Sequence, residues 1–134
     1  MNTTAKKKII VVEDDHACET LLRRVIQSID PGALIDWVES AEQATAAIER
    51  EHSTGKDYDL IIADIFLSGK TTGLDLWQAY RDRFPQTPIL IVSSLPVNRF
   101  FDTIGHNTIA PTFLPKPFYV GECRQIIEAL LTYH

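Results

Sequence analysis

Short runs of apolar, often β-branched residues recur along the chain, and each ends abruptly at a polar or charged residue. Continuous apolar runs of this length indicate strands that are buried on both faces, as in parallel sheets. The runs and the residues that end them are KIIVV before Glu13, YDLIIA before Asp64, PILIV before Ser93 and FLP before Lys116. A sheet of such strands needs helices on both of its sides.

Helical spacing of apolar residues fills the intervals between these runs. Leu22, Val25 and Ile26 indicate a helix after the first run, and residues 33–38 then predict a further strand. Ser40 with Gln43 three residues later is a typical helix start. The alternation predicts an α/β fold, a doubly wound five-stranded parallel sheet with helices on both faces.

The chain divides into a short tail and one domain. Residues 1–7 are predicted to form a flexible N-terminal tail, and residues 8–134 a single domain without repeats or linkers. Residues 97–110 have weak helical potential among glycines and prolines, which favours a short or mobile helix there. Two cysteines without CxxC spacing are expected to be free thiols.

Charge and hydropathy restrict the possible partners. The 134 residues carry 13 Lys and Arg against 18 Asp and Glu, a net charge of −5 that disfavours direct binding to nucleic acid. No stretch is long and apolar enough to span a membrane, and no signal peptide is evident. We therefore expect a cytoplasmic protein that contacts neither nucleic acid nor membrane.

The polar residues that end the runs define a candidate site. The carboxyl ends of parallel strands share one edge of the sheet, so Glu13, Asp14, Asp64, Ser93 and Lys116 are expected to meet there. Each close pair of carboxylates would cost about 4 kcal/mol at an effective dielectric constant near 20. A hard divalent cation such as Mg²⁺ offsets this repulsion and leaves positions open for phosphoryl oxygen.

The motifs IIVVEDD, DLIIAD, PILIVSS and FLPKPF, in this order, resemble the receiver domain of two-component response regulators over nearly the whole chain. The resemblance implies a flavodoxin-like receiver fold in which Asp64 accepts a phosphoryl group. It also implies a set of roles around this aspartate. Asp14 binds Mg²⁺ directly, Glu13 assists through water, the Phe66 carbonyl completes the metal site with Asp64, Ser93 and Lys116 serve the switch, and Pro117 is a cis-proline.

The sequence departs from the family pattern at several positions. Phe113 stands where a switch tyrosine is common, so an aromatic ring without a hydroxyl is expected to take its place. The loop 66–72 before Gly73 and the interval from Ser93 to Lys116, which includes residues 95–110, are each about one residue longer than the usual pattern. Phe66 and Leu95 are apolar where other members can have polar side chains that position water, which predicts slow hydrolysis of the phosphoryl group.

The resemblance implies a signalling role rather than enzymatic turnover. The expected function is a stand-alone response regulator, because the chain ends at His134 directly after the last helix. The protein is expected to be a monomer or a weak homodimer. Its partners would be a sensor histidine kinase or histidine phosphotransfer protein and an unknown downstream protein. Any catalysis would be slow, Mg²⁺-dependent self-phosphorylation from small donors and self-dephosphorylation. The alternative is an interaction module of the same fold that works without phosphorylation.

Two enzyme classes fit the residues less well. Gly69-Lys70-Thr71 resembles the end of a phosphate-binding loop, but Asp64 occupies the position of its first glycine and would repel a triphosphate. A phosphohydrolase with an aspartate nucleophile commonly has a second acid two residues later, where this chain has Phe66.

Overall fold

The computed structural model describes residues 6–67, 71–94, 99, 102 and 111–132. Within these residues the strands are β1 (Lys8–Val12), β2 (Leu34–Val38), β3 (Leu60–Asp64), β4 (Ile89–Ser93) and β5 (Thr112–Pro115). The helices are α1 (Glu19–Ile29), α2 (Ala41–Ser53), α3 (Gly73–Tyr80) and α4 (Val120–Thr132), with a short 3-10 helix at His16–Cys18. The strands form one parallel sheet in the order β2-β1-β3-β4-β5, which confirms the predicted five-stranded parallel sheet.

Two hydrophobic cores cover the two faces of the sheet. On one face α2 and α3 pack against β1, β3 and β4, with Ile48 and Trp77 among the buried residues. On the other face α1 and α4 pack against the same strands through residues such as Ile26 and Ile127. Alternate residues of each central strand point into opposite cores, which explains why these strands are apolar apart from polar residues at their ends.

Capping side chains begin two of the helical segments, one of them at the Ser40 that the sequence indicates. The Ser40 hydroxyl accepts a hydrogen bond from the Gln43 N–H at 3.1 Å, and the Gln43 side chain accepts one from the Glu39 N–H at 2.8 Å. Asp15 accepts from the Ala17 N–H at 2.9 Å and caps the 3-10 helix. These side chains satisfy N–H groups that have no partner within a helix.

Several predicted features lie partly or wholly outside the described residues. The expected short helix at 97–110 and the residue Leu95 lie outside the described residues, apart from positions 99 and 102. Of the predicted tail, the structure describes residues 6 and 7. The Lys7 N–H donates a hydrogen bond to the Asp30 carboxylate at 3.1 Å. Among the described residues no helix has the length and apolar character needed to cross a membrane.

Candidate functional site

The ends of β1, β3 and β5 bring three charged side chains together at the carboxyl edge of the sheet. Lys116 Nζ donates a hydrogen bond to Asp64 Oδ2 at 2.8 Å and a second one to Glu13 Oε1. The lysine is 52 residues from Asp64 and 103 residues from Glu13 along the chain. We call Glu13, Asp64 and Lys116 the edge triad.

Backbone contacts hold the edge triad in place. The Glu13 N–H donates to the Val38 carbonyl at 2.9 Å, and the Lys116 N–H donates to the Ser93 carbonyl at 2.8 Å. The Lys116–Pro117 peptide bond is cis, the isomer that the family resemblance implies for Pro117. The strand ends are therefore linked across the sheet by main-chain hydrogen bonds as well as by charge.

The edge triad is largely shielded from water. Glu13 is 1% exposed and Asp64 is 6% exposed, whereas the Lys116 side chain is 17% exposed. Burial, with a smaller contribution from the Asp64 charge, raises the pKa of Glu13, and the hydrogen bond from Lys116 opposes this only in part. Burial by itself lowers the pKa of Lys116, but the hydrogen bonds to Asp64 and Glu13 outweigh it and raise that pKa.

With all three groups ionised, the edge triad carries a net charge of −1. One ammonium group thus compensates two carboxylates only partly, and the remaining charge favours a further cation near Asp64.

A cavity of about 570 Å³ lies beside the edge triad. Asp14, Asp64 and Lys116 contribute charged groups to its lining, whereas Phe66 and Phe118 contribute aromatic rings. Phe66 is 54% exposed, so its ring lies at the rim of the site rather than in the core. The cavity therefore combines charged groups with an apolar rim and is large enough for a phosphoryl group.

The residues of the cavity fit a magnesium ion by their donor chemistry. Asp14 and Asp64 line it together, and Mg²⁺ in proteins commonly uses one or two carboxylates and retains several waters. Among the described residues, no three histidine, cysteine, aspartate or glutamate side chains are grouped to hold a metal ion. Glu13 faces Lys116 instead, which suits an indirect role. The predicted ligation by the Phe66 carbonyl remains a prediction.

Asp64 is positioned by the chain that follows it. The Phe66 N–H donates to Asp64 Oδ1 at 3.0 Å, and the Gly73 N–H donates to the Ile65 carbonyl at 3.2 Å. A Cβ at position 73 would lie 2.0 Å from the Asp64 carbonyl oxygen, so only glycine fits there. Thr72 and Asp75 form a capping box that begins α3 at this contact.

The predicted switch residues lie on the two strands nearest Lys116. Ser93 is fully buried at the end of β4, where it pairs with Pro115 of β5. Phe113 pairs with Ile91 and is partly buried against the core that α2 and α3 cover. Their roles in switching remain predictions.

Sequence reasoning missed two residues of the site, Gly73 and Cys18. The Cys18 sulfur lies 3.5 Å from Glu13 Oε1 and lines the same cavity. Burial, followed by the Glu13 charge, raises the pKa of the Cys18 thiol to about 12, so the thiol is protonated at neutral pH. A glycine at the first position of a predicted helix was a usable signal for Gly73. Nothing in the local pattern distinguishes Cys18 from a core residue.

Comparison with known proteins gives the family of this chain. The family model for the response regulator receiver domain matches residues 9–128. The transcriptional regulatory protein CiaR of Streptococcus pneumoniae is 32% identical over 126 residues, which cover 92% of this chain and 51% of that protein. The transcriptional regulatory protein ResD of Bacillus subtilis is 28% identical over 133 residues, which cover 98% of this chain and 50% of that protein.

Solved structures agree in fold. The receiver domain of NtrX from Brucella abortus has a TM-score of 0.74 at 24% identity and covers 94% of this chain and 99% of its own. A CheY-like receiver domain protein from Methanospirillum hungatei has a TM-score of 0.74 at 20% identity, with 95% and 94% covered. The chain spans about half the length of the curated relatives CiaR and ResD. The chain belongs to the receiver domain family of response regulators in two-component signalling.

Proposed function

We propose that the domain accepts a phosphoryl group on Asp64 from a phosphohistidine of a sensor histidine kinase or histidine phosphotransfer protein. The observation that carries this proposal is the contact of Lys116 with Asp64 beside a cavity that Asp14 also lines. Phosphoryl transfer to a carboxylate needs an aspartate nucleophile, a second carboxylate that binds a metal ion, and an ammonium group that is held in place.

The proposed phosphoryl transfer forms one bond to phosphorus and breaks another. A carboxylate oxygen of Asp64 forms a bond to phosphorus, while the bond from phosphorus to the donor imidazole nitrogen breaks and the nitrogen keeps the electron pair. Bound Mg²⁺ would neutralise charge on the phosphoryl oxygens. The Phe66 N–H orients Asp64 Oδ1, and the Lys116 ammonium provides a positive charge for a phosphoryl oxygen.

The charge that phosphorylation adds to Asp64 would act as the signal. Phosphorylation adds about one to two negative charges and strong hydrogen-bond acceptors to Asp64. We expect Lys116 and the Ser93 hydroxyl to turn toward the phosphoryl group and the Phe113 ring to move inward. This shifts an existing equilibrium between two conformations, and a downstream protein reads the altered surface.

The remaining predictions belong to the same proposal. We propose that residues 1–7 form a tail, that residues 8–134 act as one receiver domain, and that the domain works in the cytoplasm as a monomer or weak dimer. The protein would be a phosphoacceptor, with only slow Mg²⁺-dependent self-phosphorylation and self-dephosphorylation. The domain itself would contact another protein rather than nucleic acid or membrane, in keeping with its net charge of −5.

Labelling by a small donor tests the proposal. The full chain is incubated with acetyl phosphate and Mg²⁺, and its intact mass is measured. We expect the mass gain of one phosphoryl group, which disappears in Asp64→Asn and on chelation of Mg²⁺. Asp82→Asn, which changes an exposed aspartate, serves as the matched control and should label normally. Absence of any gain would favour the module that works without phosphorylation.

A further inference from the structure

The Cys18 thiol contacts the buried carboxylate of the edge triad. Its sulfur lies 3.5 Å from Glu13 Oε1 and 3.5 Å from the Asp15 carbonyl oxygen. Both oxygens are hydrogen-bond acceptors, and a protonated thiol is a weak donor whose single hydrogen can point to one of them at a time. Cys18 ends the 3-10 helix that follows β1, so the fold itself directs the sulfur toward the site.

Glu13 needs these donors because it is almost entirely removed from water. Its carboxylate accepts from Lys116 Nζ and from Cys18 on Oε1, and from the Asp15 N–H at 3.4 Å on Oε2. An ionised carboxylate without donors is strongly unfavourable in such a place. Lys116 is shared with Asp64, and the proposed function turns it toward a phosphoryl oxygen. When Lys116 turns, the Cys18 thiol stays within reach of Oε1 as a donor.

We propose that Cys18 is a positioning residue for phosphoryl transfer, because its thiol holds Glu13 in place while Lys116 turns to the phosphoryl group. The inference rests on the proposed function of Asp64 and extends it to a residue that does not touch the phosphoryl group. The thiol acts as a hydrogen-bond donor and undergoes no covalent change.

Three variants of the full chain test this role. Cys18→Ala removes the donor, Cys18→Ser keeps a donor of similar size, and Cys123→Ala removes the buried thiol of the core between α1 and α4 as a matched control. Each is labelled with acetyl phosphate and Mg²⁺, and each is checked by thermal unfolding. We expect Cys18→Ala to label about three- to tenfold more slowly, and Cys18→Ser and Cys123→Ala to stay within about twofold of the wild type.

A second measurement separates this role from the proposed function. The side-chain carboxyl ¹³C signal of Glu13 is recorded in the unphosphorylated proteins, and it should move in Cys18→Ala and stay near the wild-type position in Cys18→Ser. Unchanged or faster labelling in Cys18→Ala overturns the role of Cys18. Equal slowing in Cys18→Ser also overturns it, because packing would then explain the effect. If the wild type gains no mass, the function of Asp64 fails, and the Glu13 signal alone decides whether the thiol holds the carboxylate.

Discussion

Among the carboxylate–cation clusters in the described part of the domain, two lie in clearly different surroundings. The edge triad of Glu13, Asp64 and Lys116 is largely buried. A second cluster, which we call the surface triad, consists of Glu49 of α2, Tyr80 of α3 and Arg83. Glu49 accepts from the Tyr80 hydroxyl at 2.8 Å and from both terminal nitrogens of Arg83, one at 2.7 Å. Glu49 and Arg83 are 39% and 47% exposed.

The pKa of the glutamate moves in opposite directions in the two clusters. Hydrogen bonds from Arg83 and then Tyr80 lower the pKa of Glu49 to about 2, because water still solvates the charge. Burial raises the pKa of Glu13 although a lysine contacts it. The comparison teaches that burial decides whether a cation fully stabilises its carboxylate. The buried cluster keeps an unsatisfied preference for positive charge, which suits the binding of a metal ion.

Removing the cation of the edge triad should have the largest effect. Lys116→Met leaves two carboxylates buried side by side, and we expect the free energy of unfolding at pH 7 to fall by about 3 kcal/mol. Labelling by acetyl phosphate should fall with it. Denaturant unfolding gives the first quantity and intact mass the second. Lys56→Met, at an exposed position, is the matched control.

The pH dependence of Lys116→Met sharpens the same comparison. Burial raises the pKa of Glu13 in the folded state, so protonation of this group favours folding. That contribution is fully present below the ordinary value of 4.5 and is lost as the pH rises through the folded-state pKa. Loss of Lys116 raises that pKa further. The difference in unfolding free energy between Lys116→Met and the wild type should therefore shrink as the pH is lowered from 7 to 5. A difference that stays constant would contradict this explanation.

Adding one methyl group beside Asp64 should have the next largest effect. In Gly73→Ala the new Cβ would overlap the Asp64 carbonyl, with 2.0 Å to its oxygen and 2.7 Å to its carbon. We expect a loss of about 1–3 kcal/mol in unfolding free energy and slower labelling, because the backbone that carries Asp64 must shift. Gly121→Ala, with nothing within 4 Å, should be neutral or stabilising by comparison. Equal effects at the two glycines would refute the close contact.

The ring of Phe66 should affect the lifetime of the phosphoryl group rather than stability. Phe66 is exposed at the rim of the cavity, and we expect it to exclude the attacking water. Phe66→Asn should shorten the lifetime several-fold, whereas Phe66→Leu should retain it, as followed by the decay of the labelled mass after donor removal. A lifetime of seconds in the wild type, or the same lifetime in Phe66→Asn, would count against this role.

Breaking the surface triad should have the smallest effect. Glu49→Gln should lower the melting temperature slightly at pH 7 and leave labelling unchanged, because exposed ion pairs contribute little to stability. Glu49 has a lowered pKa, so its contribution is present above the ordinary value of 4.5 and is lost as the pH falls through about 2. The two melting curves should approach each other as the pH is lowered from 5 to 2. If Glu49→Gln lowered stability more than Lys116→Met, the exposed cluster would matter more than the buried one, and the comparison would be wrong.

Much of the fold could be predicted because the relevant signals are local. The four residues before Glu13, before Asp64 and before Ser93 are all apolar, because the strands they form are buried on both faces. The strand β2 differs, since Leu34 is 52% exposed at the edge of the sheet. Its edge position comes from the order of the strands, which the local pattern of residues does not specify.

The candidate site could be predicted only as a set of residues at one edge. Parallel strands place their carboxyl ends together, so the proximity of Glu13, Asp64 and Lys116 follows once the strands are identified. The hydrogen-bond partner of each side chain cannot be predicted from the strands alone. The prediction gave Glu13 an indirect role at the metal site, through water, and did not foresee that Glu13 accepts hydrogen bonds from Lys116 and from the thiol of Cys18.

The sequence by itself determined the alternation of strands and helices and the polar residues that end the strands, because backbone periodicity and burial leave their marks within a few neighbouring residues. Only the tertiary structure decided that Lys116 bridges Glu13 and Asp64, that Gly73 contacts the backbone of Asp64, and that a thiol supports a buried carboxylate. These contacts depend on side-chain directions and on packing between residues up to 103 positions apart, for which no local pattern exists.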